Sequence, residues 1–395
     1  VSTYRLQLGP DLSFDQAAAQ LDYLIDLGVT DLYLSPILQA APGSTHGYDV
    51  VDHSQISDMM GGRAAFERLA TAAHARRMGV FVDVVPNHMG VPTPIYHNKA
   101  LWSVLKDGPS SPYASWFDGT EDDEEMLMPF LGARIGTLLA NGEITMEHRL
   151  IPGFEDDGPQ PVLVYFDHVF PVRAGTETLP LPLCVQEQYY RLAYWKVANE
   201  ELNYRRFFDV DTLAAVRVED DEVFDATHKL LIQLFDEGLI DGFRIDHPDG
   251  LATPRGYLQR LQRATGGAWV VVEKILEPHE QLPDGSRCAG TTGYDALLRV
   301  EAEGARQTDA GRDAARQLPE LAAREIARPR VLRPELARLG VGDPAGLGGA
   351  VDGSLQRTAV LVDRIDLLLG NRRRSVEHDG EARKLLLDGC EHVES

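Results

Sequence analysis

Two hydrophobic rhythms alternate along the first ninety positions of the chain. Residues 3–8, 30–38 and 80–85 are short strand-like runs, the last apolar throughout except for Asp83. Between them, residues 14–27 and 64–77 repeat apolar positions at helical spacing, with Leu21, Leu24, Ile25 and Leu27 on one side of the first. Gly28 is expected to close the first helix and Gly79 the second. Strands and helices in alternation predict a parallel sheet or barrel.

The rhythm stops at His88. Residues 89–205 are rich in Pro, Gly and acidic side chains, including the run Glu121 to Glu125, and read as a partly structured insertion. Alternation then resumes, with helices over 221–237 and 254–263, strands over 241–247 and 269–276, and the start of a sixth strand at 291–295. From about 301 the chain is rich in Ala, Arg and Glu and reads as helices; 358–369 is apolar enough to weigh as a strand, but no seventh or eighth strand is convincing. The expected fold is therefore α/β, a TIM-type (β/α)8 barrel left incomplete with about six recognisable strands. The expected domains are 1–88, the first part of the barrel; 89–205, the insertion; 206–300, the barrel continued through strands 4–6; and 301–395, a truncated helical segment.

Composition narrows the partners. The 395 residues are 44% hydrophobic and 25% charged, enough for a large core. A net charge of −23 without a basic block argues against a nucleic-acid partner. No apolar run approaches the ~20 residues of a membrane span, and Val1 to Arg5 do not form a signal peptide. Cys184, Cys288 and Cys390 are too few and too far apart for a zinc set or a disulfide framework, which points to reduced thiols and a cytoplasmic location.

Three strand ends carry polar groups: Asp83 to His88 (DVVPNH), Gly242 to His247 (GFRIDH) and Glu273 after three valines. An ionised carboxylate buried at a strand end needs a partner or a purpose, and barrels place catalytic groups there. Strand alternation puts Arg244 and Asp246 on one face, so the guanidinium should keep Asp246 ionised. Apolar surroundings should raise the pKa of Glu273. One ionised and one protonated carboxyl is the division of labour in retaining glycosidases. Each residue also has a plainer reading. Arg244 and Asp246 could be a structural ion pair, Glu273 a strand-end side chain reaching solvent, and His88 and His247 ordinary core or loop histidines. Asn87 could hold a turn, and Asp83 could serve Arg244 as a scaffold. In His46-Gly47-Tyr48-Asp49 the tyrosine could stack on a sugar ring or simply pack the loop. Asn203 to Phe208 (NYRRFF) mixes aromatics and arginines, for which sugar hydroxyls or internal carboxylates are the expected partners rather than phosphates. Trp195 and Phe208 are expected in the core.

These segments resemble conserved regions of the α-amylase family of retaining glycosidases and transglycosidases. The likeness runs from about residue 2 to 300. YLSPILQAAPGSTHGYDVVDH at 33–53, NYRRFFDV at 203–210, GFRIDHPDGLATPRGY at 242–257, VVVEKILE at 270–277 and GTTGYDAL at 290–297 are closest to a branch that isomerises maltooligosaccharides. The resemblance implies Asp246 as nucleophile and Glu273 as general acid/base, with Arg244, Asp83, His88, His247, Tyr48 and His46 binding the reacting glucose. It implies conversion of the reducing-end α-1,4 bond of an α-1,4-glucan into an α,α-1,1 bond, with no cofactor and no metal. The alternatives are an α-1,4-glucan hydrolase of the same family, or an inactive glucan-binding fragment. The family's third catalytic carboxylate, near the seventh strand, has no match in 301–395; Asp363 and Asp366 stand in the wrong context. A complementing C-terminal part of the same enzyme is therefore an expected partner, and the 395-residue chain alone is expected to be inactive or poorly soluble.

Overall fold

Six parallel strands lie side by side in the order in which they occur along the chain. They are β1 (Thr3–Leu6), β2 (Asp31–Leu34), β3 (Gly79–Val84), β4 (Gly242–Ile245), β5 (Trp269–Val272) and β6 (Gly290–Thr291). The computed structural model describes residues 2–119, 125–277 and 280–298, nearly all in one compact unit, Val1–Tyr294. The helices expected within 301–395 and the stretch at 358–369 lie outside the described residues.

Helices fill the crossovers: α1 (Phe14–Ala18) and α2 (Leu21–Asp26) between β1 and β2, α3 (Gly62–Ala75) between β2 and β3, α4 (Asp221–Asp236) ahead of β4, and α5 (Pro254–Ala264) between β4 and β5. Consecutive parallel neighbours joined in this way form the arc of a (β/α) barrel. The helices form where apolar residues recur every three or four positions. α3 buries Phe66, Leu69, Ala70 and Ala73, and α4 buries Val223, Phe224, Thr227, Leu231 and Leu234. Each fully buried Leu or Phe contributes about 1.5–3 kcal/mol. Ser13 and Gln16 form a capping box that starts α1, and the Asp220 side chain caps α4.

Several boundaries differ from expectation. Residues 14–27 form two helices rather than one, because the Gln20 N–H turns back early to the Ala17 carbonyl, 3.0 Å away, and tightens the chain between α1 and α2. Gly28 does take the left-handed conformation after α2, with φ +80°. Gly79 does not close α3. Arg77 adopts φ +61° there, while Gly79 already begins β3. β2 stops at Leu34, two residues before Pro36, which has no N–H for the ladder.

The chain leaves the barrel after β3 for a long excursion. At its neck, His88–Gly90 pairs antiparallel with Leu213–Ala215. Farther out are a three-stranded antiparallel sheet (Thr145–Arg149, Gln160–Tyr165, His168–Pro171), a parallel pair (Met126–Leu131 with Tyr190–Tyr194) and the helix Lys99–Asp107. Phe170, Tyr190, Trp102 and Leu163 are buried there, so the insertion has a core. Trp195 and Phe208, expected in the core, are instead 53% and 68% exposed. Among the described residues no helix is long and apolar enough to cross a membrane.

Candidate active site

Strand register brings the polar strand ends together. Arg244 on β4 pairs with Asp83 on β3, and the ladder continues past both strands: the Asp246 N–H donates to the Val84 carbonyl and the Glu273 N–H to the Ile245 carbonyl. Asp83, Asp246 and Glu273 therefore emerge at the same end of three adjacent strands. Gly242, below them on β4, has no room for a side chain between the Phe81 ring and the Trp269 carbonyl.

Arg244 serves all three carboxylates. Its Nη1 donates to Oδ1 of Asp83 at 2.8 Å and to Oδ1 of Asp246 at 2.5 Å. Its Nη2 lies 3.1 Å from Oε1 of Glu273. Asp83 and Asp246 are only 2% and 6% exposed. Burial raises the pKa of Asp83 against the opposing pull of Arg244. It pushes Asp246 up to about 7; Arg244 opposes this, while Asp83 and Glu273 reinforce it. This corrects the expectation that Arg244 alone would keep Asp246 ionised. The sequence showed one arginine beside one aspartate, whereas the fold gives that arginine three carboxylates to neutralise.

Glu273 is more open, with 20% of its side chain exposed. Oε2 accepts the backbone N–H of His247 at 3.2 Å.

Asp83 is fully engaged. Besides Arg244, its Oδ2 accepts the Tyr33 hydroxyl at 2.8 Å and the Tyr48 hydroxyl at 2.5 Å. The Tyr48 oxygen in turn accepts from Arg5 Nη2 at 3.0 Å. Because Arg5 takes the acceptor side of that hydroxyl, its one proton is left for Asp83. Arg5 and Tyr33 went unnoticed in the sequence. The signal was there, since they pair across β1 and β2 and share a side with Asp83 by strand alternation.

His88 is buried, and burial lowers its pKa to about 4. It is neutral at pH 7, with Nε2 3.1 Å from the Tyr48 carbonyl, to which it donates. His247 takes a left-handed conformation, φ +42° and ψ +53°, which costs a non-glycine residue about 1–2 kcal/mol. Phe207 and Phe208 hold its ring, both with centroids 5.0 Å away, and Phe207 also meets His88 at 4.6 Å. His46 stays at the rim. It is exposed, and it touches Tyr48 and Asp49 rather than the carboxylates. Asn87 ties the loop after β4 through its Nδ2, 2.7 Å from the Gly250 carbonyl. The arginines of 203–208 find internal carboxylates, Arg205 with Asp118 and Glu219, and Arg206 with Asp209 and Asp211.

The pattern of the α-amylase catalytic domain matches residues 16–259, more than half of the chain. The chain belongs to the α-amylase family. Within that family it is 42% identical over 310 residues to a Mycobacterium tuberculosis protein named "Putative maltooligosyl trehalose synthase"; the match spans 76% of this chain and 38% of that one. The maltooligosyltrehalose synthase of Arthrobacter ramosus is 43% identical, with a TM-score of 0.70 over 76% of this chain and 38% of that one. A Sulfolobus tokodaii structure described as a hypothetical maltooligosyl trehalose synthase is 39% identical, with a TM-score of 0.65 over 75% and 38% of the two chains. The chain thus matches well under half the length of these relatives. The six parallel strands are consistent with part of a (β/α) barrel, and the carboxylate cluster stands at their C-terminal ends.

Proposed function

We propose that this chain carries the donor-cleaving site of an intramolecular transglucosidase. Such an enzyme moves the reducing-end glucose of a maltooligosaccharide from an α-1,4 to an α,α-1,1 linkage. The single observation that carries the reading is the convergence of Asp246 and Glu273 on Arg244 at neighbouring strand ends. The likeness to named maltooligosyl trehalose synthases at 42% and 43% identity supports the choice of reaction.

In this mechanism Asp246 attacks the anomeric carbon of the penultimate glucose in its deprotonated form, which gains population as pH rises through about 7. Glu273 protonates the departing glycosidic oxygen, and a glycosyl-enzyme forms. The freed glucose remains bound, turns, and offers its own anomeric hydroxyl. Glu273, now ionised, removes that proton as the new bond forms and Asp246 leaves. Retention at the donor carbon follows from two inversions. Water must be kept from the glycosyl-enzyme for transfer to outrun hydrolysis. Arg244 stabilises the nucleophile's charge, and Asp83, itself saturated by Arg244, Tyr33 and Tyr48, acts as the anchor of the site rather than as a free acid. His88, His247 and Tyr48 would bind the glucose, with His46 farther out. Soluble cytoplasmic maltooligosaccharides would be the substrates, and no cofactor takes part in these steps.

The test is product analysis with maltopentaose and the full-length protein. Reducing ends should disappear without matching release of glucose. Glucose and shorter maltooligosaccharides as the main products would favour a hydrolase instead. Residues beyond 298, or a complementing C-terminal part, would have to supply the third carboxylate. Turnover of maltopentaose by purified residues 1–395 alone would rule out the need for a separate part.

A further inference from the structure

Glu273 is held by a loop that is itself under strain. Its Oε2 accepts the N–H of His247, and the direction of that N–H depends on the left-handed backbone of His247. Strained conformations persist only where neighbouring groups over-determine them. One tie is Asn87 to the Gly250 carbonyl, and another is the lack of space at Gly250, where a Cβ would collide with the His247 ring. The remaining tie comes from the residue next to Glu273. Lys274 Nζ lies 2.8 Å from Oδ2 of Asp249, on the strained loop, and 2.7 Å from Oε1 of Glu280. Exposed ion pairs usually contribute little. Lys274 keeps only 14% of its side-chain surface, against 56% for Asp249 and 36% for Glu280, and its ammonium bridges the 247–250 loop and Glu280.

We propose that Lys274 is a positioning residue for Glu273, locking the 247–250 loop so that the His247 N–H aims the carboxyl group at the leaving oxygen. Glu273 and Lys274 are consecutive, so one strand end grips the same loop twice: through a carboxylate at the residue that must be oriented, and through an ammonium two residues farther on. Loss of the second grip lets His247 relax toward an unstrained conformation and turns its N–H away. The consequence falls on the proton transfers of Glu273, because its Oε2 is aimed by this loop, whereas the Asp246 carboxyl is held by Arg244 Nη1.

This proposal rests on the reading of Glu273 as proton donor. The experiment compares two donors in the full-length protein: maltopentaose, whose leaving sugar needs a proton, and α-maltotriosyl fluoride with azide as acceptor, where neither the departing fluoride nor the attacking azide needs proton transfer. Lys274→Met should lower turnover of maltopentaose by about 100-fold, the usual cost of a small misplacement, and change fluoride release by less than about threefold. Lys274→Arg should recover most of the loss. Asp249→Asn should show the same selectivity more weakly, and it carries the test if Lys274→Met does not fold. Equal slowing of both donors, or slowing of neither, overturns the proposal. Glu273→Gln separates the two levels: if it fails to discriminate between the donors, the role of Glu273 itself is wrong, whatever Lys274 does.

Discussion

Arg244 Nη1 lies 2.5 Å from Oδ1 of Asp246, yet the Asp246 carboxyl is pushed up to about 7. The pairing is close, but burial outweighs it, and Asp83 and Glu273 crowd the same guanidinium.

That relationship fixes a pH dependence. An unfolded aspartate titrates near ~3.9, so between about pH 4 and 7 the folded chain holds a proton that the unfolded chain has lost. The Asp246 contribution to stability is therefore fully present below about pH 4 and fades as pH rises to about 7. Asp246→Asn removes this penalty. It should stabilise the fold at pH 8, and the advantage should shrink toward pH 4. Chemical denaturation of both chains across that range checks it; a difference independent of pH would contradict it.

Tyr48→Phe deletes the hydroxyl that stands between Arg5 and Asp83. Hydrogen bonds to charged groups contribute about 1.5–3 kcal/mol, so a stability loss in that range is expected. The Arg5→Met and Tyr48→Phe variants share this bond. Their double mutant should fall short of additivity by at least ~0.5 kcal/mol. Additive losses would show that the two residues act independently.

Arg77 follows α3 at φ +61°, and its neighbour's N–H, that of Met78, returns to the Ala73 carbonyl at 3.0 Å. This is the position at which helices favour glycine. Arg77→Gly should raise stability by about 0.5–1 kcal/mol, read as an upward shift in Tm. A lower Tm would mean that the arginine side chain contributes more than its backbone strain costs.

The sequence revealed most of what periodicity and strand alternation control. β3, β4 and β5 were legible because Val80 to Val85, Gly242 to Ile245 and Trp269 to Val272 are mostly apolar runs that contain or lead into Asp83, Arg244, Asp246 and Glu273. The grouping of Asp83, Arg244 and Asp246 follows from register and alternation alone. The charge state of Asp246 could not be read in this way, because it depends on how many carboxylates share one guanidinium in space. The end of α3 misled for a different reason: a glycine lay close by at Gly79, but helix length placed the left-handed turn on Arg77. Phe208 looked like core because it is a large aromatic residue, yet it is 68% exposed, and its φ of +49° has no sequence signal in a non-glycine residue.

The central claim is that Asp246 forms the bond to the sugar. The direct measurement is mass spectrometry of the full-length protein after incubation with a 5-fluoro-α-glycosyl fluoride, which slows breakdown of the glycosyl-enzyme. One sugar should be found on the peptide that contains Asp246, and none should form in Asp246→Asn. A sugar attached to Glu273, Asp83 or any other carboxylate would contradict the assignment.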